Sequence, residues 1–152
     1  MKTKVKDVMT PDVRTCRPDA SLAEATKEFW DADCGALPVV SDEGRVIGMI
    51  TDRDICIAVA TKGRTADRIA VREVTTNQAH TCLADDDIAV ALQTMKTHQV
   101  RRLPVVDAEG HLRGILSLND IVTRSAAAPA QVMSTLAKIC EHRRPTAIAG
   151  AA

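Results

Sequence analysis

Aromatic residues are nearly absent from this 152-residue sequence: one Phe, one Trp and no Tyr, 1% of the chain. The core must be built from Val, Ile, Leu, Ala and Met, and a planar ligand would lie between aliphatic side chains. The shortage argues against binding single-stranded nucleic acid, which stacks its bases on aromatic platforms. Net charge is also missing. Lys and Arg number 20, as do Asp and Glu, so no global positive field draws in a phosphate backbone. No apolar run approaches the roughly 18–20 residues that cross a bilayer. The start, Met1-Lys2-Thr3-Lys4-Val5-Lys6-Asp7, has no apolar core behind its lysines and does not read as a secretory signal. Neither nucleic acid nor membrane is expected as a partner. Cys-x-x-Cys and His-x-x-x-His spacings are lacking, and no metal site is assigned. No Ser-His-Asp or Cys-His set is visible and His80, His98 and His111 are scattered, so no catalytic residue is assigned and no enzyme is expected.

What is present is the mix of a globular domain, 45% apolar and 26% charged. The five cysteines at 16, 34, 56, 82 and 140 are odd in number and widely spaced. That pattern suits free thiols in a reducing cytoplasm.

The chain repeats itself. Leu37-Pro38-Val39-Val40 falls on Leu103-Pro104-Val105-Val106 at an offset of 66, and residues 5–55 laid over 71–121 match at 17 of 51 positions. The reading is a duplication with units at 5–62 and 71–126, a linker at 63–70 and a tail at 127–152. Each unit starts with an extended piece (Val13–Arg17; Ala79–Leu83). An amphipathic helix follows, with Leu22, Ala25, Thr26 and Phe29 on its inner face in the first unit and Ile88, Ala91, Leu92 and Met95 in the second. Ser21-x-x-Glu24 reads as a capping box, and Asp85-Asp86-Asp87 places acids at a positive helix end. A strand (36–40; 102–106), a glycine turn at Gly44 or Gly110, a second strand (46–50; 112–116) and a second helix from Thr51 or Ser117 complete the unit. The fold class is α/β, β-α-β-β-α twice. One unit is too small to bury a sufficient core, so the two are expected to pack about a pseudo-twofold axis with related crevices between them. A tail helix is expected over 130–140, with Val132, Met133, Leu136, Ile139 and Cys140 along one side. The end from His142-Arg143-Arg144-Pro145 onward is expected to fray.

The sharpest motif is Gly48-Met49-Ile50-Thr51-Asp52-Arg53-Asp54-Ile55, matched by Gly114-Ile115-Leu116-Ser117-Leu118-Asn119-Asp120-Ile121. A strand end opening a helix offers free N–H groups to a phosphate. The Thr or Ser hydroxyl adds a hydrogen bond, and the Asp three residues on can hold both hydroxyls of a ribose. Gly48 and Gly114 would let the ligand approach the backbone. The same spacing is that of a helix capping box, which needs no ligand. The residues support both readings, and the two can coexist.

With these motifs in both copies, the chain resembles a tandem pair of CBS domains, named after cystathionine β-synthase and often called a Bateman module. The resemblance covers 5–126, roughly four-fifths of the chain. Thr51-Asp52-Arg53-Asp54-Ile55 and His98-Gln99-Val100-Arg101-Arg102 further resemble stand-alone bacterial CBS-pair proteins of the hypoxic-response type. The resemblance implies a sensor that requires no cofactor and takes an adenine nucleotide (AMP, then ADP or ATP; in some members NAD or S-adenosylmethionine) in clefts between the units. It gives Thr51 and Asp54, and Ser117 and Asp120, the ribose and phosphate contacts. It places adenine against Thr15, Cys16, Arg17, Ala36, Leu37 and Pro38, and against Thr81, Cys82, Leu83, Leu103 and Pro104. By the same resemblance Arg101 and Arg102 hold phosphate, and they are expected to complete the Thr51/Asp54 cleft, since Gly35-Ala36 in the first unit carries no charge. A homodimer and an unidentified regulated protein are the implied partners, because these residues include no fused catalytic or transport domain.

The alternative is a redox- or stress-responsive structural protein whose clefts bind no nucleotide. Cys34, beside Gly35, is then the thiol expected to be exposed. Cys16 and Cys82, matched in the repeat, read as buried packing positions. Trp30 falls off the apolar face of its helix and is expected to cover a subunit contact.

Overall fold

A computed structural model of the chain describes residues 3–75 and 79–141. The expected frayed end, from His142 onward, lies outside the described residues. In chain order the elements are α1 (Val5–Val8), α2 (Leu22–Asp31), β1 (Ala36–Val40), β2 (Val46–Thr51), α3 (Asp52–Thr61), β3 (Cys82–Leu83), α4 (Ile88–His98), β4 (Arg102–Val106), β5 (Leu112–Ser117), α5 (Leu118–Arg124) and α6 (Pro129–Cys140). The α/β order of the two repeats is that expected from the sequence. The opening strand is weaker than expected. In the first repeat only Cys16 bridges, in parallel, to Val39, and in the second β3 is two residues long.

β1 pairs antiparallel with β2 and β4 with β5, and both hairpins slip register at the same place, Val39/Val40 and Val105/Val106. The tips turn on Gly44 and Gly110, whose φ of 78° and 87° is left-handed backbone that glycine adopts without a Cβ penalty. The tips also join the repeats. Val46 N–H donates to Gly110 O at 3.0 Å, and its counterpart Leu112 N–H donates to Gly44 O at 3.2 Å. Each bond is the other shifted by the offset of 66, so the repeats meet about a pseudo-twofold axis.

The N-terminal segment does not pack with the helices and strands that follow it. Ile88 N–H donates to Thr3 O, Val5 N–H to Asp86 O and Lys6 N–H to Ala84 O, at 3.2, 3.0 and 2.9 Å. The end of the linker and the start of the second unit do the same for the first repeat: Leu22 N–H to Ile69 O, Val71 N–H to Ala20 O and Arg72 N–H to Pro18 O, at 2.8, 2.8 and 2.9 Å. The cores follow this exchange. Val5 and Val8 are buried with Ile88, Leu92, Met95, Leu103, Leu116 and Ile121. Ile69 and Val71 are buried with Leu22, Phe29, Leu37, Ile50 and Ile55. A buried side chain of this size stabilises the fold by about 1.5–3 kcal/mol, so each half depends on a segment from the other end of a repeat.

Two expectations need correction, on Thr26 and on α6. Thr26 is exposed; its hydroxyl donates to Leu22 O at 2.7 Å, leaving Leu22, Ala25 and Phe29 to form the inner face of α2. The acids 85–87 do stand at the start of α4, with Asp87 as its N-cap residue, and their carboxylates are held by other partners. Asp85 and Asp87 pair with Lys6 and Lys4 at 2.6 and 2.7 Å, while Asp86 accepts from Leu83 N–H at 2.8 Å. In α6 the apolar residues divide between two faces. Val132 and Ile139 pack inward, whereas Met133 and Leu136 are 61% and 38% exposed and Cys140 is exposed.

Candidate functional site

The two Thr/Ser-x-x-Asp motifs fold identically. β5 ends at Ser117, whose hydroxyl accepts from Asp120 N–H at 3.1 Å, while Asp120 Oδ2 accepts from Ser117 N–H and Oγ–H at 2.8 and 2.5 Å. In the first repeat Thr51 accepts from Asp54 N–H at 3.2 Å, and Asp54 Oδ2 accepts from Thr51 N–H and Oγ1–H at 2.9 and 2.7 Å. The capping box is formed in both copies. It holds one carboxylate oxygen and leaves the other turned outward. In the second repeat that outer oxygen, Asp120 Oδ1, lies 3.4 Å from Arg124 Nη1.

The capping network also consumes the amides. Leu118 N–H donates to Arg101 O at 2.9 Å, Asp52 N–H to Gly35 O at 3.3 Å and Arg53 N–H to Asp52 Oδ1 at 2.8 Å. The helix starts therefore do not present the row of free N–H groups that the motif suggested for a phosphate, and an anion here would depend on side chains. The expected close approach of a ligand at Gly114 is likewise replaced. A Cβ on Gly114 would meet Thr10 O at 2.5 Å, so the backbone that needs this glycine is the chain's own.

Ser117 and Asp120 open into a cleft of about 350 Å³ between the repeats, within the range of small-molecule sites. One wall is Thr10, Asp12, Val13 and Arg14 with Ala32, Cys34, Ala36, Leu37 and Pro38; the other is Arg102, Ile115, Ser117 and Asp120. The cleft thus joins the ribose-type motif of one repeat to the Leu-Pro strand of the other. Asp12 stands at the rim with φ 52°, a left-handed backbone that Asp tolerates better than most residues. Arg14 pairs with Glu28 at 3.4 Å. Arg102 forms no ion pair among the described residues.

The placement of Arg102 differs from the expectation. It lies with Ser117 and Asp120 in this cleft, because the antiparallel pairing of β4 with β5 sets Arg102 directly opposite Ser117. Arg101 is exposed and does not line it. Of the other expected residues, Ala36, Leu37 and Pro38 line the cleft, and Thr15, Cys16 and Arg17 do not. Cys16 is buried in the core and Arg17 is paired with Asp42 at the surface. Cys82 and Leu103 are buried in the second core, Pro104 is buried, Thr81 is half-buried and Leu83 is 44% exposed. The counterpart cleft around Thr51 and Asp54 corresponds under the offset to a wall that includes 76–78, outside the described residues.

Burial pushes the Cys16 thiol up to about 11 and the Cys82 thiol up to about 12, with Glu28 and Asp86 adding their negative charge. Both are held protonated and unreactive. Cys34 is half-buried at the cleft wall, and the exposed thiols are Cys56 and Cys140. Sequence reading missed two groupings. His80 and His98 stack with centroids 3.6 Å apart; the offset makes them counterparts of Arg14 and Ala32, which line the described cleft. Asp107, Glu109 and His111 bring ligand-type atoms within 4.8 Å of one another on the second hairpin turn. There Asp107 already accepts from Arg113 at 2.9 Å and from His111 N–H at 2.8 Å. The alternating Asp-x-Glu-x-His spacing was the signal for it.

The CBS domain family model matches residues 5–61 and 71–127. Among curated proteins, the CBS domain-containing protein YhcV of Bacillus subtilis is 37% identical over 119 residues, 78% of this chain and 83% of YhcV. Homoserine O-acetyltransferase of Methanococcoides burtonii is 38% identical over 119 residues, and the match spans only 23% of that enzyme. Among solved structures, Hypoxic Response Protein I with two coordinated zinc ions superposes with TM-score 0.72 at 33% identity, covering 79% of this chain and 97% of that one. The CBS domain pair of MJ0100, in complex with 5-methylthioadenosine and S-adenosyl-L-methionine, gives 0.72 at 27% identity, covering 80% and 94%. CBSX2 in complex with AMP gives 0.67 at 26% identity, covering 78% and 93%; another structure of CBSX2 comes from Arabidopsis thaliana.

Proposed function

The chain belongs to the CBS-domain family, with two CBS domains in tandem, and from that premise we propose that it is a non-catalytic regulatory module binding an adenosine-containing ligand, AMP before ADP or ATP, between its repeats. The observation that carries the proposal is the composition of one cleft. A capped Ser117–Asp120 pair with an outward carboxylate oxygen, the apolar wall Ala36–Pro38 of the other repeat, and the guanidinium of Arg102, which forms no ion pair among the described residues, converge there. They match the three parts of a nucleotide. Asp120 Oδ1 accepts from the ribose hydroxyls, the aliphatic wall sandwiches adenine, and Arg102 meets the phosphate by a charge-assisted bond. Two similar structures hold AMP, and methylthioadenosine with S-adenosylmethionine, which share the adenosine part. Thr51 and Asp54, with the same capping geometry, are assigned to a second, counterpart cleft.

A ligand in this cleft bridges residues 10–14 and 32–38 to residues 115–120. It stiffens the junction and biases the angle between the repeats, by no more than its difference in affinity for the two arrangements. The output passes through a homodimer or a regulated protein, and the setting is energy or stress sensing in the cytoplasm. The redox alternative has less support, since Cys34, the thiol it relies on, is half-buried at the cleft wall.

Calorimetric titration with AMP, adenosine and S-adenosylmethionine tests the reading. Asp120→Ala is expected to weaken all three about tenfold or more, the scale of a hydrogen bond to a charged group. Arg102→Ala is expected to weaken AMP and leave adenosine nearly unchanged. Equal losses for AMP and adenosine would remove Arg102 from the phosphate, and no binding of any of the three would return Ser117 and Asp120 to plain helix capping.

A further inference from the structure

The two repeats share one surface, and α6 covers it in only one of them. α6 lies against α4, where Lys96 Nζ donates to Ser134 Oγ at 2.7 Å and Gln99 Nε2 donates to Lys138 O at 2.8 Å. Met95 beneath it is fully buried, and Val100 and Ile139 pack against the same core cluster. The offset of 66 carries Met95, Lys96, Gln99 and Val100 onto Phe29, Trp30, Asp33 and Cys34. These four residues line an open groove of about 480 Å³ beside α2, together with Asp52 and Ile55. Trp30, the counterpart of Lys96, is 86% exposed.

α6 has a second apolar face to offer. Met133, Leu136, Ala137 and Cys140 are spaced i, i+3, i+4, i+7, all are exposed, and they face away from α4. Charge fits as well. Where the covered surface has Gln99 and Leu118, the open groove has Asp33 and Asp52, which form no ion pair among the described residues. α6 carries Lys138, of the sign those carboxylates require, paired here within its own chain to Glu141.

We propose that the outward stripe of α6 seats in the open groove of a second copy, and that two such contacts about a twofold axis form a reciprocal dimer. Reciprocity closes the assembly at two copies, since each groove and each stripe is then filled. Trp30 is the anchor: a large exposed aromatic beside a pocket is the kind of residue that dominates interface energy. The inference gives the homodimer proposed above a definite surface, and it fails separately from that reading.

Light scattering and sedimentation equilibrium of the full chain at micromolar concentration test it. The wild type is expected at twice the monomer mass. Trp30→Glu, and separately Met133→Glu with Leu136→Glu, are each expected to raise the dimer dissociation constant about tenfold or more. Their melting curves should retain a cooperative transition, because all three side chains are exposed. Mixed in equal amounts, the two variants are expected to regain dimer in part, since one intact stripe then meets one intact groove. A dimer indifferent to both changes, or a mixture that regains nothing, would remove this contact while leaving a dimer of another kind. A monomeric wild type would overturn it outright, as would Trp30 shielded from iodide quenching in a monomer, which places the chain's own tail in the groove.

Discussion

Replacing Gly114 with Ala tests whether the N-terminal segment is welded to the second repeat. The residue needs no left-handed backbone, so the change carries no conformational penalty and should gain about 0.4–1 kcal/mol from the unfolded chain. Space decides the outcome. The new Cβ would stand 2.5 Å from Thr10 O, 3.2 Å from Met9 Sδ and 3.3 Å from Pro11 Cα. Backbone must move, and what moves is the bridge in which Thr10 N–H donates to Ile115 O and Ile115 N–H to Thr10 O, both at 2.9 Å. Overpacking of this kind costs about 1–3 kcal/mol, and the two hydrogen bonds contribute about 1 kcal/mol each. The net expectation is a loss of about 2–4 kcal/mol. At roughly 2–4 °C per kcal/mol for a chain of this size, the melting temperature falls by roughly 5–15 °C. Thr10 lines the cleft, so AMP affinity should fall with it. Gly110→Ala is the control: nothing lies within 4 Å of its added Cβ, but φ is +87°, and a cost of about 1–2 kcal/mol with unchanged ligand affinity is expected. Thermal unfolding by circular dichroism and calorimetric titration of both variants decide the matter. A Gly114→Ala protein as stable as the wild type would refute the close approach of the two segments.

Two further outcomes follow from the packing. Val5→Ala, at a fully buried site in the second core, should cost about 1–3 kcal/mol. It should also loosen amide protection in α4 before α2; loss centred on α2 instead would place Val5 in the first core. Among the thiols, Cys56 and Cys140 should react with a thiol reagent at once and Cys34 more slowly, while Cys16 and Cys82 should wait for unfolding. Because burial raises the folded pKa of Cys16 and Cys82, to about 11 and about 12, their contribution is complete below the unfolded value near 8.5. It is lost as pH rises from there through the folded values. Cys16→Ala with Cys82→Ala should therefore flatten the alkaline decline in melting temperature, and an unchanged slope would place those thiols in water.

The duplication, the β-α-β-β-α order and the capping boxes could be read from residues because each is local or repeats at a constant offset. A glycine turn, a 3.6-residue period and a Ser-x-x-Glu or Thr-x-x-Asp spacing act within one turn or hairpin. Side chains that meet across the pseudo-twofold axis left no such trace. Val5 and Val8 precede the first repeat's helices in sequence yet fill the second repeat's core, since backbone bonds from 84–88 take up the N-terminal segment. Arg102 was expected beside Thr51, but antiparallel pairing with β5 held it at Ser117. The apolar residues of α6 read as one face because a helical period cannot say how many partners surround a helix; packing against α4 divided them into two. The repeat, the elements and the chemistry of each motif are written in local spacing and composition. Which half each segment completes, which cleft Arg102 lines and which of two equivalent surfaces is left open were settled by packing, because these depend on contacts between residues far apart in the chain.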